Sequence, residues 1–170
     1  MCIRDRLECD LSQAELRIAA WMAWEETMLR IYREGGDIHI ATACAVMGIT
    51  AQQFAKLPKD EQKMARFRAK AVGFGFLYGM GWRKFRAYAR TDYGLKYTEE
   101  EAQRIRRVFF ETYPGLAVWH ETMGEFVREY GYVRTLHGAI RRLPAVWSSE
   151  ETMQWSAVRQ AVNSPVQRFA

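Results

Sequence analysis

The sequence predicts an α+β fold that is predominantly helical, with a few strands and one β-hairpin. Three observations carry that prediction. Apolar residues recur at spacings of three and four over most of the chain, as on helices with one buried face. Between those runs stand Asp37, Gly48, Gly94, Thr98 and Gly131, residue types that start and stop helices. A late stretch, YVRTLHGAIRRLPAVW, departs from the helical period, with β-branched and aromatic residues on both sides of His137-Gly138. It reads as a hairpin whose second strand is stopped by Pro144.

Taken in order, Leu7 to Asp10 reads as the end of a short strand, because Leu16, Ala19, Ala20 and Ala23 then set up a helical period. Asp10 is thereby delivered to a strand–helix junction. Gly35-Gly36 breaks the chain, and Asp37 is placed to cap a helix running to about Met47, which Gly48 ends. A longer helix begins near Lys59. The acidic start Thr98-Glu99-Glu100-Glu101 opens another, with Ile105, Val108 and Phe109 as its buried face, closing at Pro114-Gly115. The helix after it ends near Gly131. A last helix starts near Ser149 and is expected to end before Pro165, since the residue preceding a proline is driven out of the helical region.

Composition bounds what such a chain does. At 170 residues, with 49% hydrophobic and 14% aromatic side chains, it forms one domain or a piece of a larger one. Lys and Arg exceed Asp and Glu by 25 to 20, for a net charge of +5, which permits a nucleic-acid partner without requiring one. Cys2, Cys9 and Cys44 are odd in number and lack metal-ligand spacing, which favours a reducing cytosolic setting over a disulfide scaffold. No apolar run approaches the roughly 20 residues that span a bilayer, and the N-terminus lacks the apolar core of a signal peptide. The expectation is a soluble, cytoplasmic protein.

The chemistry concentrates in RFRAKAVGFGFLYGMG, Arg66 to Gly81. Arg66, Lys70, Phe74 and Tyr78 follow one another at intervals of four, so on a helix they form a single stripe about 18 Å long, two cations and then two rings. Like charges four apart cost a helix about 0.2–0.5 kcal/mol, so the pair makes sense around an anion, and the rings around something flat. A triphosphate joined to a base meets both conditions. Gly73, Gly75 and Gly79, each costing about 1 kcal/mol relative to Ala inside a helix, predict a close approach to that helix. An amphipathic helix with snorkelling basic stems explains the rings but not the glycines. Elsewhere single residues carry less: Asp10 suits Mg²⁺ at a strand end or a helix cap, Glu15 suits a solvated helix face, and His39 a packed histidine.

Five segments, DLSQAELR, DIHIATA, RFRAKAVGFGFLYG, GYVRTLHGAIRRLP and RQAVNSPVQ, resemble in order and spacing the polymerase domain of family A DNA polymerases, from about Leu7 onward. The resemblance implies fingers helices inserted in a partial palm: start of palm over 7–34, fingers over 35–131, hairpin and return to palm over 132–170. Residues 1–6 stand unmatched and are read as extraneous. It further implies two Mg²⁺ ions, held by Asp10 and the Leu11 carbonyl. Arg66 and Lys70 would grip the incoming deoxynucleoside triphosphate, Lys70 also protonating the pyrophosphate, with His39 as a further phosphate contact. Phe74 would pack on the nucleotide, Tyr78 beside the templating base, and Gln13 on the same segment as Glu15, whose side chain would fill the space a ribose 2′ hydroxyl needs. Arg159, Asn163 and Gln167 resemble residues that read the minor groove of primer-template DNA, where acceptors common to every base pair test geometry rather than sequence. Arg134, Arg141 and Arg142 of the hairpin divide between phosphate contacts and solvated charges.

The expected activity is template-directed addition of deoxynucleotides to a primer. The family's second catalytic aspartate belongs to a later His-Asp-Glu segment that this sequence does not contain, and the thumb and remaining palm are likewise absent. The chain alone is therefore expected to be inactive. Two rival readings are a non-catalytic helical DNA-binding piece and a relative of single-subunit RNA polymerases, which share the stripe but not a glutamate like Glu15.

Overall fold

A computed structural model describes residues 12–168. The elements run α1 (Ala14–Met22), α2 (Glu26–Arg33), α3 (Ile38–Met47), α4 (Ala51–Ala55), α5 (Lys59–Leu77), α6 (Trp82–Tyr93), α7 (Glu99–Thr112), α8 (Pro114–Tyr130), β1 (Tyr132–Arg134), β2 (Ile140–Arg142), a 3₁₀ turn Pro144–Trp147, and α9 (Glu151–Gln167). The strand expected at Leu7–Asp10 lies outside the described residues. Among those described, the sheet is the hairpin alone, with Tyr132 opposite Arg142 and Arg134 opposite Ile140.

The predicted caps do what their chemistry requires. Asp37 accepts from the backbone N–H of His39 and Ile40 at the start of α3, and Gly48 ends that helix in the left-handed region with φ +68°. Thr98 and Glu101 form a reciprocal capping box on α7. Two helices, α4 and α6, were not resolved by sequence period. Nor was the turn at Trp24, where φ is +48° and α1 is separated from α2.

Helix α5 is the axis of the fold. Its Val72, Phe76 and Leu77 join Leu16 of α1, Phe85 of α6, Ile105 and Phe109 of α7 and Leu116 of α8 in the main apolar cluster. A second cluster, including Val127, Val133, Leu143, Ala157 and Ala161, seats the hairpin on α8 and α9. Arg141 of the hairpin reaches α9, donating to Ser164 Oγ at 2.9 Å and to Gln160 Oε1. Its contact is therefore internal.

Three expectations need correction. Helix α9 does not end before Pro165 but continues to Gln167. Proline there removes one N–H near the helix end, while Ala161, Val162, Pro165 and Val166 are all buried and the Arg168 N–H still reaches Ser164 O at 3.2 Å, so packing outweighs one lost bond. Gly79 is not inside a helix; it lies beyond the end of α5 with φ +69°, a conformation that favours glycine. Finally, the close approach signalled by Gly75 comes from the protein itself, since a Cβ there would stand 2.8 Å from Phe85 Cδ2.

A buried acid ties two helix starts together. Glu25, 2% exposed, accepts from Thr27 N at the head of α2 through Oε1 and from Gly115 N at the head of α8 through Oε2. Both partners are N–H groups left unpaired by helix geometry, so one carboxyl group satisfies two helix ends.

Candidate functional site

Three elements converge on a cleft of about 510 Å³. Ser12 and Gln13, with Glu15 of α1, form one wall; His39 of α3 and Arg66, Lys70 and Phe74 of α5 form the other. Gln13 has φ +56° and a buried Oε1 with no hydrogen-bond partner among the described residues. Tyr78 lies just past α5 and donates its hydroxyl to the Glu15 carboxylate. That bond fixes the Glu15 side chain. Burial, and after it the Glu15 hydrogen bond and charge, push the Tyr78 phenol well above its ordinary range, so it remains a donor.

The stripe survives in three dimensions, but its charges differ. Arg66 already has an anion: its Nε donates to Asp37 Oδ2 at 2.8 Å, while Asp37 Oδ1 caps α3. Burial works to raise the Asp37 pKa, yet the Arg66 bond and charge and the His39 N–H outweigh it and hold the carboxyl below its usual range. Lys70 is exposed, and its Nζ stands 6.0 Å from the Phe74 ring centroid. His39 is 4% exposed, and burial, opposed by Asp37 and assisted by Arg66 and Lys70, pushes its pKa down. It enters the cleft as a neutral ring. Asp37 was read from sequence as a cap only; its second role joins residues 29 positions apart and leaves no local signal.

A larger groove, about 1020 Å³, is bordered by residues that include Gly79, Trp82, Arg83, Arg106, Phe110, His120, Glu121, Glu125, Arg128, Trp155 and Arg159. Of the three α9 residues singled out by sequence, Arg159 faces this groove, Asn163 is half-buried with an unpartnered Oδ1, and Gln167 is exposed at the helix end. None of them lines the first cleft. His120 has no precursor in the sequence reading: its Nε2 is 2.9 Å from Leu77 O, at the end of α5, where a backbone carbonyl has no next turn to bond.

Asp10 and Leu11 lie outside the described residues. Among those described, no group of three His, Cys, Asp or Glu side chains could hold a metal ion. The described walls offer cations, rings and amides, and the one carboxylate on them, Glu15, is engaged by Tyr78. No described helix is long and apolar enough to cross a membrane.

Residues 4–170 match the model of DNA polymerase family A, and the chain belongs to that family. It is 34% identical over 168 residues to DNA polymerase I of Streptococcus pneumoniae serotype 4, covering 96% of this chain and 17% of the relative. It is 37% identical over 164 residues to the thermostable DNA polymerase I of Thermus filiformis, covering 96% of this chain and 18% of the relative. The chain thus spans less than a fifth of the curated relatives it matches. A solved structure, the polymerase domain of Pol1 from M. smegmatis in complex with DNA primer-template and dNTP, superposes with a TM-score of 0.78 at 25% identity, over 93% of this chain and 26% of that one.

Proposed function

We propose that this chain is the fingers and part of the palm of a DNA-directed DNA polymerase, and that the 510 Å³ cleft receives the incoming deoxynucleoside triphosphate. The observation that carries the reading is convergence: Gln13, Glu15, His39, Arg66, Lys70 and Phe74, drawn from separate elements, line one cleft. Primer-template DNA is the other partner, the remaining palm and thumb completing the enzyme. The M. smegmatis neighbour, solved with both ligands, supports this reading.

Arg66 keeps its two terminal nitrogens for phosphate oxygens while Asp37 holds Nε. Lys70, a compact exposed charge, meets the leaving end and is the proton donor to pyrophosphate. His39, neutral, contributes a hydrogen bond rather than a charge. Phe74 packs on the nucleotide, Tyr78 stands by the templating base, and Glu15, pinned by Tyr78, excludes a 2′ hydroxyl by occupying its space. Asp10 and the Leu11 carbonyl would hold Mg²⁺; such ions, when bound, activate the primer hydroxyl and neutralise the departing pyrophosphate. Arg159, Asn163 and Gln167 would follow the minor groove of the primer-template.

The test uses a complete polymerase carrying this segment. Glu15→Ala raises ribonucleotide use relative to deoxyribonucleotide use, read as the ratio of the two kcat/KM values; an unchanged ratio removes Glu15 from the sugar site. Lys70→Ala slows single-turnover chemistry, whereas Arg66→Ala acts mainly on apparent nucleotide affinity.

A further inference from the structure

Strand β2 aims one cation at helix α9. Directly opposite residues of an antiparallel pair share a face, so Arg141, paired with the buried Val133, turns inward with it, while Ile140 and Arg142 on either side are exposed. The guanidinium then closes a ring of hydrogen bonds on α9. Arg141 donates through Nη1 to Ser164 Oγ at 2.9 Å and through Nη2 to Gln160 Oε1, and Ser164 Oγ donates in turn to Gln160 O. No carboxylate pairs with Arg141 among the described residues. A full charge is thus held by neutral oxygens on two side chains one helical turn apart, and bonds from an ionised donor are stronger than neutral ones.

The ring sits where α9 has least else to hold its angle. The buried residues that α9 gives to the hairpin cluster are Ala157 and Ala161, whose methyl groups allow close approach but form no ridge that interlocks with the strands. Pro165 loosens the same stretch, since it has no N–H to bond the Ala161 carbonyl one turn back. Gln160 and Ser164 stand one residue on from Arg159 and Asn163, so the two pairs form parallel stripes about 100° apart around the helix. Any roll of α9 about its axis carries both stripes together. Holding Gln160 and Ser164 therefore fixes the direction in which Arg159 and Asn163 point.

Resting on the reading of α9 as the helix that meets primer-template DNA, we infer that Arg141 is a positioning residue. Through Gln160 and Ser164 it sets the angle at which Arg159 and Asn163 are presented to the duplex, and it makes no phosphate contact itself. The test uses the complete polymerase carrying this segment, with primer-template affinity read by fluorescence anisotropy at about 50–200 mM salt. Arg141→Met keeps the stem and removes the donors. It weakens binding about tenfold and leaves the slope of log Kobs against log salt unchanged, while the single-turnover rate at saturating primer-template stays within about twofold. The pair Gln160→Met with Ser164→Ala breaks the same bonds, leaves the cation in place and reproduces the loss. In a background of Arg159→Ala with Asn163→Ala either change adds less than about twofold, because the angle then has no side chain to present. A slope shallower by about 0.9 in Arg141→Met makes the arginine a phosphate contact and overturns the proposal. So does an affinity within about twofold of the unaltered enzyme, or a loss fully additive with the Arg159 and Asn163 changes, which marks a general effect on the fold. If Arg141→Met does not fold, the acceptor pair decides by the same criteria. The reading of α9 fails separately: Arg159→Ala with Asn163→Ala that leaves primer-template affinity unchanged removes it, whereas a loss there with none in Arg141→Met removes the positioning role alone.

Discussion

From Lys59 to Arg68, α5 is mostly exposed; from Ala69 to Leu77 it is buried except at Lys70 and Phe74. The inner half is held from several sides. Phe76 meets Phe85, Phe109 and Phe110 at centroid distances of 4.5, 5.7 and 6.3 Å, Gly75 lies under Phe85, Leu77 O is bonded by His120, and Tyr78 by Glu15. The outer half makes one ion pair, Arg66 to Asp37. The difference divides one helix into a stiff inner half and a lightly held outer half, and the less tightly held half carries only Arg66 of the stripe.

Phe85→Ala tests the inner half most severely. The ring is 0% exposed, and its loss costs about 3–5 kcal/mol in denaturant unfolding. A loss no larger than that of a surface substitution would break the comparison. Next comes acid sensitivity at His120, whose pKa burial pushes down to about 4, the Leu77 bond opposing and Arg106 assisting. The folded state then binds fewer protons than the unfolded state below about pH 6.5, so stability is complete above that pH and declines towards about pH 4. The slope is at most about 1.4 kcal/mol per pH unit. His120→Met removes this part of the slope in melts taken across the window, while His39, shifted in the same direction, retains its own.

Gly75→Ala forces a methyl against Phe85 and destabilises by about 1–3 kcal/mol, with a smaller cost in a Phe85→Leu background. Arg66→Ala, at the far end, costs about 0–1 kcal/mol, because its ion pair is with a side chain 27% exposed and its own is 45% exposed. If Arg66→Ala destabilised more than Gly75→Ala, the two halves of α5 would not differ in their contribution to stability as described.

What the sequence made legible was local. The α3 and α7 starts, the Gly48 and Gly131 ends and the hairpin around His137-Gly138 depend on residues a few positions apart, and each stands where expected. The stripe was legible for the same reason, its period being that of the helix. Illegible features are those in which distant chain closes on a local signal: Phe85 over Gly75, Asp37 against Arg66, and burial carrying α9 through Pro165. The glycines correctly announced a close approach, but nothing in their spacing distinguished a ligand from a neighbouring ring. Gln13 and Asn163 show the complement, amides singled out by motif whose buried oxygens lack partners in the described structure.

The Glu25 clamp has a consequence for how the molecule breathes. Its bond to Gly115 N spans 90 residues of sequence, and the same side chain holds Thr27 N. Opening either helix start leaves a buried carboxyl group short of a donor, so neither frays independently of the other. The Gly115 amide therefore exchanges its hydrogen with solvent on the timescale of the large opening that separates α2 from α8, although it stands in the first turn of a helix, where exchange is ordinarily fast.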